Sequence, residues 1–213
     1  MTASQDNQSA TTADSPHQQE SAPTPAGNPL LDVAYIAVFA ALIIALAFVA
    51  IPVGAAGVPI VLQNAAVILA GLILGRTRGF LTTLLFLGLG LIGLPVLAGG
   101  KTTLAALGGP TIGYLVGYLV SATVAGSIAY LAPRGNRKAL TIYLALGAIA
   151  ALACQYLCGS VGMMFRADMS FGQALAVNVP FLIPDLIKAA CAVAIASGVH
   201  LSLPDIRRKA FLK

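Results

Sequence analysis

The stretch DVAYIAVFAALIIALAFVAI, residues 32–51, decides the class of fold. It is 20 residues long, and its only charge is the aspartate at its start. A helix of about 20 apolar residues matches the thickness of a bilayer's hydrocarbon core. The whole 213-residue chain is 58% hydrophobic and 9% charged, with a mean hydropathy of +0.90, whereas soluble domains are about 25% charged. The composition therefore predicts an integral membrane protein.

Five further apolar runs follow the first. The sequence predicts an all-α membrane protein of six transmembrane helices, at residues 32–51, 59–75, 79–97, 110–131, 140–163 and 179–203. The runs lack the alternation of polar and apolar residues that is typical of membrane β-barrels, and helices satisfy their own backbone in lipid. We expect three regions, namely a disordered polar N-terminal tail (1–30), the six-helix membrane domain (31–203) and a basic cytoplasmic tail (204–213).

The basic residues are distributed unequally between the two sides of the predicted spans. Nine lie in the connections and tail on the side of both termini, whereas Lys101 and Arg166 alone lie on the other side. Cytoplasmic loops carry an excess of Lys and Arg, so both termini are predicted to face the cytoplasm, with the protein in the cytoplasmic membrane. The net charge of +5 is scattered over separate loops, which argues against a nucleic-acid partner.

The segment Gly100-Lys101-Thr102 resembles the end of a nucleotide-binding Walker A motif, G-x-x-x-x-G-K-[ST]. The first glycine of that motif would be residue 95, which is proline, and the neighbours are membrane spans. We therefore predict no phosphate loop and no ATP hydrolysis by this chain. The glycine-rich connection at 98–109 is interpreted either as a linker or as a loop that folds over a small ligand, since glycine permits close backbone approach.

Two ionisable residues, Asp185 and Lys188, lie inside the sixth span, in LIPDLIKAAC. Such residues are costly in a membrane and mark functional sites by default, and a spacing of three places both on one helix face. They form either an ion pair that only helps packing or a polar patch for a ligand with donors and an anionic group. Pro184 removes a backbone donor and predicts a local break beside them.

Other features carry weaker signals. Ala37, Ala41 and Ala45 form a small-residue face that suits either packing within the chain or docking on another membrane subunit. Gln63, Asn64 and Gln155 are weaker candidates for the same ligand patch, and interhelical hydrogen bonds are their more common role. The cysteines and histidines form no metal-binding or nucleophilic pattern, so we predict no metal site. An intramembrane enzyme would depend on Asp168 and Asp185 alone.

Four segments, taken in order, resemble the BioY family, the biotin-specific substrate-binding membrane subunits (S components) of energy-coupling factor (ECF) transporters. They are VPIVLQNAAVILAGLILGRTRG (58–79), GLIGLPVLAGG (90–100), GGPTIGYLVGYLVS (108–121) and PFLIPDLIKAA (180–190). The resemblance covers about residues 33–203. It implies six helices and a vitamin held near the extracellular side under loops that include the one between spans three and four.

The resemblance also implies roles for individual residues. The substrate-binding residues would be Asp185, Lys188, Tyr114, Gly109, Thr111 and Gly113, and the coupling-subunit contact would be Ala37 and Ala41. Pro184 and Ile112 depart from the family pattern, which has glycine at both positions. The implied function is biotin uptake, without enzymatic activity and without a cofactor of its own, because partner ATPase subunits use the ATP. The alternatives are an S component for another vitamin, a solitary facilitator, and the intramembrane enzyme.

Overall fold

The computed structural model describes residues 29–51 and 60–207. In these ranges the chain forms α1 (Pro29–Ala47), α2 (Gln63–Leu74), α3 (Arg76–Leu91), α4 (Thr103–Leu107), α5 (Ile112–Ala129), α6 (Arg137–Arg166), α7 (Phe171–Ala176) and α8 (Val179–Ser202). Two 3-10 turns lie at Ala98–Gly100 and Pro204–Arg207. The strands β1 (Ala50–Ile51) and β2 (Ile60–Val61) form a short antiparallel pair. The predicted all-α membrane class is confirmed.

Among the described residues, four helices are long and apolar enough to cross a membrane, namely α1, α5, α6 and α8. The other two predicted spans coincide with α2, of 12 residues, and α3, of 16 residues. At about 1.5 Å per residue these helices fall short of the roughly 30 Å hydrocarbon core. They meet at Gly75, whose φ of 85° ends one helix and starts the next. The six-span count therefore stays a prediction.

The predicted break at Pro184 is wrong, because α8 continues through this proline. Pro184 is the sixth residue of the helix. The carbonyl that loses its donor is four residues earlier, in the first turn. The disruption is therefore confined to the start of the helix, and Asp185 and Lys188 sit on regular helical backbone.

Glycines allow α5 to pack closely against its neighbours. A Cβ added to Gly113 would overlap the carbonyl of Cys158 on α6, and one added to Gly126 would overlap the backbone of Gly75. Small residues let membrane helices approach until their backbones touch. This packing places α5 between α2, α3 and α6, at the centre of the bundle.

One end of the bundle is tied together by Arg78. Its guanidinium pairs with Asp32 at 3.2 Å and donates to the carbonyls of Leu74 at 3.0 Å and Ile206 at 2.7 Å. Arg78 is the third residue of α3 and only 1% exposed. The predicted spans at 59–75 and 79–97 had instead placed it in the connection between them. The bonds join the start of α1, the start of α3 and the 3-10 turn after α8. We call this the basic end.

The same end includes the junction of α5 and α6. Arg207 donates to the carbonyls of Tyr130 at 3.1 Å and Ala132 at 2.8 Å. The first residues of the predicted basic tail are therefore packed on the bundle. Residues 208–213 lie outside the described part of the chain, as do residues 1–28 of the predicted N-terminal tail.

The opposite end, called here the loop end, is formed by the connections at 92–111 and 167–178. Gly99 and Gly100 adopt φ of 75° and 71°, which only glycine adopts without strain. Their turn is closed by backbone pairing of Leu97 with Lys101. The side chain of Gln63 on α2 donates to the carbonyl of Val96 at 2.8 Å, so this loop is fastened to the helix bundle.

Candidate binding site

A cavity of about 320 Å³ opens among α2, α5, α6 and α8 toward the loop end. Small-molecule pockets in proteins range from about 300 to 1,000 Å³. The lining combines apolar side chains with a concentrated polar set, and consists of Val61, Asn64, Thr111, Tyr114, Tyr118, Gln155, Tyr156, Met163, Val177, Asn178, Phe181, Asp185 and Lys188. Its size and its few convergent polar groups fit one small organic molecule.

The polar centre of the cavity is the ion pair between Asp185 and Lys188, whose charged atoms are 2.5 Å apart. The side chains are 6% and 11% exposed, respectively. The ammonium group also donates to the carbonyl of Val61 and to Oδ1 of Asn64, both at 2.8 Å. An ammonium group has three donors, so all three are engaged, and the charge is compensated inside the bundle.

Asp185 keeps the capacity to accept further hydrogen bonds. Its Oδ1 faces Lys188 and its Oδ2 accepts from the hydroxyl of Tyr156 at 2.7 Å. A carboxylate accepts about four hydrogen bonds in total. The two oxygens can therefore also receive N–H donors from a ligand in the cavity.

A second polar group comes from the connection between α7 and α8. The Tyr114 hydroxyl donates to Oδ1 of Asn178 at 2.6 Å, and Nδ2 of Asn178 donates to Oγ of Ser160 at 3.0 Å. A Cβ added to Gly159 would overlap the Tyr114 ring, so this glycine leaves the space that the ring fills. The network fixes one aromatic wall of the cavity.

Comparison with known proteins places the chain in a family. The BioY family profile matches residues 16–205. The chain belongs to the BioY family. Two biotin transporters BioY are similar to it. That of Rhodobacter capsulatus is 42% identical over 168 residues, covering 74% of this chain and 86% of the relative. That of Rhizobium etli is 34% identical over 187 residues, covering 84% and 98%.

A solved crystal structure is similar to most of the chain. It is described as the S-component for biotin from an ECF-type ABC transporter. The superposition has a TM-score of 0.70 at 31% identity and covers 80% of this chain and 91% of the other. The family resemblance inferred from four sequence segments is thereby confirmed.

The structure separates the predicted BioY-type binding residues into two groups. Asp185, Lys188, Tyr114 and Thr111 line the cavity, whereas Gly109 and Gly113 do not. Gly113 permits the close contact of α5 with α6, and a Cβ on Gly109 would make only ordinary contact, 3.6 Å from the carbonyl of Ala106. A binding role for these two glycines stays a prediction.

The sequence reasoning missed Tyr156 and Asn178 as cavity residues. Tyr156 follows Gln155, which donates to Ser121 at 3.0 Å and to the carbonyl of Asn64 at 3.3 Å. The inward face of α6 continues through Ser160, four residues after Tyr156. The helical spacing of the polar side chains on α6 could have predicted Tyr156 as a cavity residue. Asn178 lies in a turn, where helical spacing gives no such indication.

Ala37 and Ala41 are exposed on the outer face of α1. The buried face of this helix carries Ile36, Ala40 and Ile43 instead. Packing among the described residues therefore does not explain Ala37 and Ala41. Within residues 29–51 and 60–207, no three His, Cys, Asp or Glu side chains come together as a metal site.

Proposed function

We propose that this chain binds biotin in the described cavity and takes it up across the cytoplasmic membrane as the S component of an ECF-type transporter. The observation that carries the proposal is the buried Asp185–Lys188 pair in a cavity of about 320 Å³ inside a membrane bundle. The BioY relatives are named biotin transporters, and the similar crystal structure is of a biotin S-component.

The chemistry of biotin suits the lining. Its ureido ring has two N–H donors and a carbonyl acceptor, and its side chain ends in a carboxylate. Asp185 accepts N–H groups, while Lys188 meets a carbonyl or carboxylate oxygen. Met163, Val177 and Phe181 supply apolar contacts for the sulfur-containing ring and the methylene chain. The pair is thus interpreted as a ligand-binding patch rather than as packing alone.

Binding requires an exchange of hydrogen bonds at Lys188. Its three donors are engaged by Asp185, Asn64 and the carbonyl of Val61. A ligand oxygen therefore takes the place of one neutral acceptor, because the charged partner is held more strongly. The Asn64 amide is the easier one to displace, since a side chain rotates more readily than a paired strand moves.

The charge distribution supports an orientation with six spans and both termini in the cytoplasm. The basic connections gather at the end marked by Arg78 and Arg207, as expected for the inner face. The cavity opens toward the other end, near Thr111 and Asn178. In this orientation biotin enters from outside the cell.

The exposed face around Ala37 and Ala41 is proposed to dock on the transmembrane coupling subunit. Small residues permit close helix contact. The energy for transport would then come from the ATPase subunits attached to that partner, since the sequence around Lys101 fails the Walker A spacing. This chain would act without a cofactor of its own.

The docking proposal predicts a separation of transport from binding. We expect Ala37→Trp/Ala41→Trp to abolish copurification of the coupling subunit and to reduce biotin uptake at least tenfold, with biotin affinity unchanged, because two large rings keep the helices apart. The matched control is Ile149→Trp, at an exposed position on α6. Equal copurification by the double variant and the control would contradict the docking face.

Competition for the purified protein tests the choice of substrate. Unlabelled biotin should displace labelled biotin stoichiometrically, and other water-soluble vitamins at 100-fold excess should not. Displacement by a second vitamin would favour an S component for that vitamin, and uptake without any ECF subunit would indicate a solitary facilitator. The enzyme alternative receives no structural support, because Asp168 is exposed and does not line the cavity.

A further inference from the structure

A second cavity, of about 400 Å³, lies at the basic end between the α5–α6 connection, the start of α6 and the end of α8. Three arginines line it, namely Arg134, Arg137 and Arg207, together with Asn136 and His200. The lining described by the structure contains no Asp or Glu. The cavity is therefore strongly electropositive and has no internal counter-charge.

The start of α6 adds to this positive potential. α6 is 30 residues long and its first turn has no acidic residue. It begins with Arg137 and Lys138, although the positive end of the helix dipole favours anions at this position. Cations placed here are unfavourable unless an anion compensates them. The sequence thus keeps positive charge where helix stability alone disfavours it.

His200 supplies a buried polar atom that has no hydrogen-bond partner in the described part of the chain. The ring is 5% exposed and lines the cavity. Its Nε2 is 2.9 Å from the carbonyl of Leu72 on α2, and because a carbonyl only accepts, Nε2 carries the proton. The other nitrogen, Nδ1, points away from that carbonyl and has no partner among the described residues. Nδ1 therefore holds a lone pair and accepts a hydrogen bond, such as one from the hydroxyl of a bound headgroup or of a monoprotonated phosphate.

Arg207 is held in place at the cavity wall. Its Nη2 donates to the carbonyls of Tyr130 and Ala132, and its guanidinium lies 5.3 Å from the centre of the Tyr130 ring. A guanidinium has five N–H donors, so Nε and Nη1 keep donors for a ligand. An arginine fixed in this way loses little conformational entropy on binding.

We propose that this cavity binds a phosphate group, either in the headgroup of an anionic phospholipid or as the free ion. Planar guanidinium groups match phosphate oxygens in a bidentate manner, and a helix N-terminus is a general phosphate-binding feature. The cavity lies where α5 and α8 end and α6 begins, at the basic end of the bundle. Basic pockets at helix ends bind anionic lipids in this way. The site is independent of the biotin cavity.

The test compares wild type with Arg134→Ala/Arg137→Ala. Both arginines are exposed, so their removal should leave the bundle folded. The matched control is Arg76→Ala/Lys138→Ala, which removes the same charge from exposed positions at the same end without touching the cavity lining. Biotin affinity is measured for all three proteins and should be equal, so that this site is tested separately from the proposed function.

Two probes distinguish the sources of phosphate. The first probe is native mass spectrometry, which counts the phosphatidylglycerol molecules that the protein retains from nanodiscs, with phosphatidylcholine as the reference lipid. The second probe is thermal unfolding in detergent, in which Tm is compared between inorganic phosphate and chloride at equal ionic strength. Retention of phosphatidylglycerol by wild type and control, reduced at least tenfold in the double arginine variant, supports a lipid site. A phosphate-dependent rise in Tm lost only in that variant supports a free-ion site. Equal responses of all three proteins, or no response of wild type to either probe, would overturn the proposal.

Discussion

Asp185→Asn and Lys188→Ala should each weaken biotin binding about 10- to 100-fold, because hydrogen bonds to charged groups contribute about 1.5–3 kcal/mol each. Asn replaces one charged acceptor by a donor and leaves Lys188 buried without its counter-ion. Ala removes the ammonium and leaves the Asp185 carboxylate, 6% exposed, with only the Tyr156 hydroxyl. Isothermal titration of the purified variants gives the affinities.

The control for this prediction is Lys101→Ala. Lys101 is an exposed cation at the loop end and does not line the cavity, so its removal should leave biotin affinity unchanged. Thermal unfolding of each protein separates binding from folding. If the pair served packing alone, both cavity variants would lose stability while their folded fraction kept wild-type affinity, and that outcome would contradict the site.

Arg78→Ala should destabilise the bundle by about 3–5 kcal/mol, which is the usual cost of removing one partner of a buried ion pair. The variant loses the bond to Asp32 and the bonds to the carbonyls of Leu74 and Ile206. It also removes the guanidinium from the face of Tyr35, 5.7 Å from the ring centre. Denaturant unfolding in detergent measures the change.

A matched control for this effect lies two residues earlier on the same helix. Arg76 is exposed, so Arg76→Ala should change the unfolding free energy by less than about 0.5 kcal/mol. Arg78→Lys should recover part of the loss, since lysine keeps the charge but lacks the planar fork of donors. Equal unfolding midpoints for Arg78→Ala and Arg76→Ala would refute the role of Arg78 in joining α1, α3 and the turn after α8.

The sequence predicts the features that depend on local composition. Apart from Asp32, the run at 32–51 is apolar, so a membrane helix follows from transfer energy alone, although α1 ends at Ala47 and residues 50 and 51 form β1. Asp185 and Lys188 are three residues apart on one helix, so their common face follows from helix geometry. The predicted end of the second span at residue 75 agrees with the end of α2 at Leu74, because charged residues interrupt the apolar run there. The other bounds differ, since α2 begins at residue 63 instead of 59 and α3 covers 76–91 instead of 79–97.

Features that depend on contacts between residues far apart in the chain could not be predicted from the sequence. Arg78 was assigned to a loop by counting charges, since its partner Asp32 lies 46 positions away. Tyr114 and Asn178 meet across 64 positions, which no periodicity reveals. The connection that contains Gly99 and Gly100 was interpreted either as a linker or as a loop over a ligand, and the structure shows that these two glycines form a turn with positive φ and do not line the cavity.

The most direct test of the central claim is an experimentally determined structure of the purified protein with biotin bound. We expect the ligand between α2, α5, α6 and α8, with its polar atoms within hydrogen-bonding distance of Asp185 and Lys188 and its rings beside Tyr114 and Phe181. Biotin bound at any other place, with the Asp185–Lys188 pair untouched, would contradict it.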